Sequence, residues 1–138
     1  MFSEEIENAL NEQLNEEFFS WYTYLAMSSY FKTLNLDGFS RWMSKQAQRE
    51  MMHAMKIYEF LHEREGGIMF RQINEPPPEW DSPLAAAELA YLHEQEASGR
   101  IDRFVDLAMS DHAHATSTFL QWFVNEQVEE EGRLRSIV

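Results

Sequence analysis

No cysteine occurs in the chain, which removes disulfides, thiolate zinc sites, iron–sulfur clusters and thiol nucleophiles together. Helix breakers are scarce. Most of the five glycines and all four prolines fall in clusters: Gly38, the pair Gly66 and Gly67, and the run EPPPEWDSP with Pro76, Pro77, Pro78 and Pro83. Between these clusters no period-2 alternation competes with helical spacing, so a β-rich fold is excluded. An uncharged apolar run long enough to span a bilayer is also missing, and the acidic N-terminus MFSEEIENALNEQLNEE has neither a basic region nor an apolar core of signal-peptide type. The expectation is a cytoplasmic protein with no membrane partner. Basic residues number 11 against 24 acidic ones, and the resulting charge of −13 opposes nucleic-acid binding while concentrating cations near the surface.

What is present is helix, in amounts that suit a single domain over residues 1–138. Ser3 can cap a first helix over about 4–32, with Glu4 and Glu5 in its first turn. A second helix is expected over 39–65, ending at the Gly66 stop signal. Ser82 and Pro83 open a third over 83–109, and Asp111 can cap a fourth over 112–137. The first and second helices, and the third and fourth, are joined by short turns, which predicts two antiparallel hairpins. Some fifteen residues with three successive prolines join the pairs, enough to run the length of a bundle. The expected fold is therefore all-α, a four-helix bundle with one long crossover. From Phe18 to Phe31 the first helix reads FFSWYTYLAMSSYF without a charge, more apolar surface than one bundle stripe needs, which predicts a subunit contact.

Each helix also carries polar residues where its apolar stripe should continue. The stripe Ile6, Leu10, Leu14, Trp21, Tyr24 is interrupted by Glu17. In the second helix, stepping by three or four between Phe39, Trp42, Met43 and Ile57, Phe60, Leu61 lands on Gln46, Glu50 and His53. Glu94 interrupts the third helix, and Gln127 and Glu130 the fourth. At 1.5 Å per residue these positions lie roughly 18 to 23 Å from their hairpin turns, one common level in mid-bundle. Singly, an inward Glu or His is usually a solvated or hydrogen-bonded residue. Several carboxylates buried together without a cation would carry a large desolvation and repulsion penalty, and a bound cation removes it. Carboxylates with a minority of imidazole and no thiolate suit iron or manganese, zinc being redox-silent, and point to a di-iron carboxylate centre.

The motifs NEQLNEEFFSWYTYL, QAQREMMHAMKIYEFL, YLHEQE and FLQWFVNEQVEEE, taken together, resemble those of prokaryotic non-haem ferritins, and the resemblance runs from the first helix to the last residue. It implies an iron-storage protein with ferroxidase activity that oxidises Fe2+ with O2 or H2O2. By the same resemblance Glu17, Glu50 and His53 hold one iron, Glu50 bridges to a second held with Glu94 and Glu130, and Gln127 lies close by. Tyr24 and Trp122 match aromatic residues beside that centre, although a core role explains their spacing equally well. The family's third iron site corresponds to Glu126, Glu129 and Glu130 together with a Glu preceding Glu50, and here that preceding residue is Arg49. A fixed cation there would repel Fe2+ or pair with a carboxylate, so a weak or absent third site is expected. Relatives continue into a fifth helix, while this sequence stops at Val138; at least an antiparallel dimer is expected, and the family's 24-subunit cage is left open. Asp111, His112 and His114 suit an iron-entry pore or ordinary capping. Met51 matches the position of a haem ligand in bacterioferritins, but the missing second GluxxHis motif argues against haem. Competing expectations are a rubrerythrin-like peroxidase, which usually carries a cysteine-ligated iron, and a structural metal-binding bundle.

Overall fold

The computed structural model describes residues 2–138. Four helices follow one another, α1 (Glu4–Thr33), α2 (Asp37–Glu63), α3 (Pro83–Ser110) and α4 (His114–Ile137), and no strand is found among the described residues. The chain divides into two compact units, one ending at Trp80 and one beginning at Asp81. The first is the α1–α2 hairpin with the segment that follows it, and the second is the α3–α4 hairpin.

Capping chemistry fixes two helix starts. Ser3 Oγ accepts from the Ile6 amide at 3.2 Å, and Ser82 Oγ accepts from the Ala85 amide at 3.0 Å, with Pro83 in the first turn. The three internal helix ends share one device, in which a single residue takes left-handed backbone angles and the next amide reaches back to a carbonyl of the last turn. Asn35, Glu65 and His112 occupy that position with φ of 60°, 58° and 53°. The closing bonds are Leu36 N to Phe31 O (3.0 Å), Gly66 N to Leu61 O (2.7 Å) and Ala113 N to Ala108 O (2.8 Å). Gly66 therefore ends α2 through space rather than through its own backbone angles: a Cβ there would come within 2.9 Å of Leu61 and Phe2. The same device corrects the expectation for Asp111. It is the C-cap of α3, and α4 starts after Ala113 without a side-chain cap, because the turn has already spent Asp111 on closing the preceding helix.

In the first unit Ile6, Leu10, Leu14, Met27 and Phe31 of α1 and Met43, Ile57 and Leu61 of α2 are almost wholly buried. Near the turn, Ser28 and Ser40 bond reciprocally: each hydroxyl donates to the other's carbonyl at 2.8 Å, which small side chains permit by letting the helices approach. After α2 the chain runs extended along α1, held by two asparagines. Asn11 donates to Gly67 O at 2.8 Å and accepts from Met69 N at 2.7 Å; Asn15 donates to Met69 O at 2.9 Å and accepts from Arg71 N at 3.0 Å. The match is geometric, since four helical residues rise about 6.0 Å and two extended residues about 6.6 Å. Carboxamides four apart on α1 thus stand in for a neighbouring β-strand. Trp80 closes the unit edge-on against Tyr30, with centroids 5.5 Å apart. In the second unit Ile101, Leu120, Phe123 and Leu134 are the largest of the fully buried side chains.

Candidate metal centre

Glu17 on α1 and Glu50 and His53 on α2 are brought together by the first hairpin. All three are buried, with 4%, 3% and 0% of their surface exposed. His53 Nδ1 lies 3.4 Å from Glu17 Oε2 and 3.4 Å from Glu50 Oε2. The three donor atoms fall within 4.8 Å of one another. That spacing is long for hydrogen bonds between fully buried groups but right for ligands of one ion: donors bonded at about 2.1 Å at octahedral or tetrahedral angles sit about 3.0 to 3.4 Å apart.

The other oxygen of each carboxylate is already committed. Gln13 Nε2 donates to Glu17 Oε1 at 2.9 Å, and Gln46 Nε2 donates to Glu50 Oε1 at 3.1 Å. Both are i,i+4 pairs, so a glutamine one turn earlier on each helix fixes one oxygen and leaves the other turned toward His53. Arg49 Nη1 in turn donates to Gln46 Oε1 at 2.9 Å, which places the expected third-site cation on a glutamine of its own helix. Burial alone would push the Glu17 carboxyl up; the neighbouring His53 and Glu50 groups and the Gln13 amide outweigh it and hold the carboxyl below the ordinary value. The donor set is two hard oxygens and one imidazole nitrogen, which fits Fe2+ and Fe3+.

The second hairpin carries the remaining acidic positions. Glu94 is 3% exposed on α3, Gln127 6% and Glu130 0% on α4. The Gln127 amide nitrogen lies 3.2 Å from the Glu94 carbonyl, from Glu94 Oε2 and from Ser98 Oγ, so this side chain orients Glu94 with its amide. Glu131 is half-buried and accepts from Ser98 Oγ at 2.6 Å. Glu126, Glu129 and Glu130 all meet Arg133: Nη1 is 2.9 Å from Glu130 Oε1 and 3.3 Å from Glu126 Oε1, and Nη2 is 3.2 Å from Glu129 Oε2. Burial pulls the Arg133 guanidinium down, but the charges of Glu130, Glu126 and Glu129 outweigh it and raise its affinity for the proton.

Tyr24 is buried seven residues beyond Glu17, on the same face of α1. Trp122 packs edge-on against Phe123, with centroids 5.0 Å apart. His112 and His114 line a surface concavity with Val105, Met109 and Gln121, and among the described residues neither they nor Asp111 join a three-donor cluster. Sequence patterning missed Gln13 and Arg133. The repeated QxxxE of QLNEE and QAQRE was the signal for Gln13; for Arg133 it was the i−3, i−4 and i−7 acids that precede it.

Residues 7–138 match the family described as Ferritin-like domain. A bacterial non-heme ferritin from Bacteroides fragilis (strain 638R) is 41% identical over 138 residues, all of this chain and 87% of the relative. One from Staphylococcus epidermidis (strain ATCC 12228 / FDA PCI 1200) is 37% identical over 132 residues, 96% of this chain and 80% of the relative. Among solved structures, an open pore ferritin from the archaeon Archaeoglobus fulgidus superposes with a TM-score of 0.98 at 50% identity, over all of this chain and 85% of the other. A ferritin from Chlorobium tepidum gives 0.97 at 35% identity, over 99% and 84%. The fold is the all-α four-helix bundle with one long crossover that these structures share. With a family match across nearly its whole length and relatives well above 30% identity, the chain belongs to the ferritin family.

Proposed function

We propose that this iron-storage protein loads its iron by oxidising Fe2+ itself, as a cytoplasmic ferroxidase. The observation that carries the proposal is the buried convergence of Glu17, Glu50 and His53, each carboxylate presenting one oxygen beside the imidazole while a glutamine holds the other. These three residues bind one Fe2+; Glu94 and Glu130 are the carboxylates the second hairpin offers for another, with Gln127 holding Glu94 in place. Two irons are needed because two Fe2+ give up one electron each, and O2 with two protons then leaves as H2O2, or H2O2 with two protons leaves as two waters. Carboxylates are hard and anionic, so they favour Fe3+ over Fe2+ and make that oxidation easier. Tyr24, on the Glu17 face of α1, is assigned to the surroundings of this centre.

The exposed apolar residues Tyr22 and Leu25 on α1 and Met52 and Met55 on α2, each between 40% and 47% exposed, support assembly into a homo-oligomer through this hairpin, a dimer at least. Light scattering on the dilute protein checks this, and a monomer would refute it. The activity is tested by adding Fe2+ in air and following Fe3+ optically, with Glu50→Ala alongside. Oxidation faster than buffer, lost in Glu50→Ala, is expected; a rate equal to buffer refutes the ferroxidase proposal. Many irons oxidised per chain and kept in solution separate storage from a peroxidase that retains its metal.

A further inference from the structure

We infer that Arg133 is a built-in counter-cation that limits how many metal ions this chain binds: its guanidinium occupies the oxygens of Glu126, Glu129 and Glu130 that a further cation on α4 would need. The inference rests on Glu130 being an iron ligand, as proposed above.

The contacts follow from helix geometry. Side chains on a helix lean toward its N-terminus, so the stem of Arg133 lies over the preceding turn, where Glu129 and Glu130 are its i−4 and i−3 neighbours and Glu126 stands one turn further back. One planar fork then serves three carboxylates. Nη1 lies between Glu130 Oε1 at 2.9 Å and Glu126 Oε1 at 3.3 Å, and Nη2 reaches Glu129 Oε2 at 3.2 Å. The Glu130 side chain is 0% exposed and that of Glu126 14%, so two of the three acids are shielded from solvent and depend on a nearby positive charge. The guanidinium itself is 29% exposed. It stays protonated at any pH the fold survives, and unlike a bound ion it does not exchange with solution. A divalent cation approaching Glu126 and Glu129 would have to displace the fork from oxygens it already holds, against repulsion at contact distance. Arg133 therefore holds Glu130 by Oε1 while denying Glu126 and Glu129 to a further cation. This goes further than the charge of Arg49, which is engaged with Gln46 on α2.

Anaerobic calorimetric titration with Fe2+ tests the inference by counting ions per chain. Arg133→Met keeps the length of the stem and removes the charge, and it is expected to bind one more Fe2+ than the native protein. Adding Glu126→Gln and Glu129→Gln to that variant should remove the extra ion. The same two substitutions in the native background should leave the count unchanged, because those carboxylates already serve Arg133. That arm leaves Arg133 in place and so does not depend on the Met variant folding. An unchanged count in folded Arg133→Met, or the loss of an ion in Glu126→Gln/Glu129→Gln with Arg133 intact, would overturn the inference. Native protein whose Fe2+ binding is indifferent to Glu50→Ala would instead overturn the iron-site proposal, so the two failures are distinguishable.

Discussion

Replacing Gln13 by Leu keeps the volume at a position only 5% exposed and deletes the amide that donates to Glu17 Oε1 at 2.9 Å. Glu17 would then lose the contact that fixes which of its oxygens faces His53. A hydrogen bond to a charged group contributes about 1.5 to 3 kcal/mol, and part of that is orientation that a bound ion otherwise uses. At about 1.4 kcal/mol per decade, Fe2+ binding should weaken roughly 10- to 100-fold, the range found when outer-shell partners of metal ligands are removed. Gln46→Leu should act in the same direction through Glu50, and with an added cost, because Arg49 would lose the Gln46 Oε1 acceptor at 2.9 Å. Anaerobic titration calorimetry reads the affinity, and circular dichroism checks that the helices persist. Because both glutamines act on one triad, the double variant should depart from simple additivity. Binding by Gln13→Leu within about threefold of native, with Glu50→Ala abolishing it, would refute the assignment of positioning to the glutamines.

Three further outcomes follow from the fold and the charges. Asn11→Ala strands the Met69 amide and the Gly67 carbonyl beside a 3% exposed side chain, and should cost about 2 to 4 kcal/mol, whereas Asn15→Ala, whose bonds are exposed, should cost about 1; hydrogen exchange at Met69 and denaturant unfolding check both, and equal costs would defeat the strand-mimic account. His112→Gly relieves a left-handed residue and should stabilise by up to about 1 kcal/mol, while Gly66→Ala should destabilise by steric contact with Leu61 and Phe2; calorimetric melting distinguishes the signs. The Glu17 carboxyl lies below its ordinary value of 4.5 in the folded chain, so the stability it contributes is in place above that pH and is lost as pH falls through the lower folded value. Iron-free protein should thus unfold more readily in that acid window, and Glu17→Gln should flatten the dependence; an unchanged acid limb in that variant would contradict the sign.

Legibility in the sequence depended on contrast. Glu17, Glu50, His53, Glu94, Gln127 and Glu130 stand in otherwise apolar stripes, so each one violates a pattern, and the structure buries every one of them. Gln13 is just as buried but sits in NALNEQLNEE, where polar residues surround it and nothing marks one amide as inward. Asn11 and Asn15 were hidden for another reason: their partners lie 54 to 58 residues away on a segment with no periodicity, so neither end predicts the other. Asp111 was misassigned because the same residue type serves both sides of a tight turn, and the left-handed His112 decides which. Arg133 is the sharpest case. An arginine near a helix C-terminus, as Arg135 also is, suits the helix dipole, which is reason enough for its presence and conceals any other. Only its reach back over three carboxylates, one of them the fully buried Glu130, shows that it balances charge that the stripe pattern had answered with a metal alone. Patterning thus locates where a helix tolerates buried charge, but the guanidinium of the same chain that answers part of that charge is seen only in the side-chain geometry.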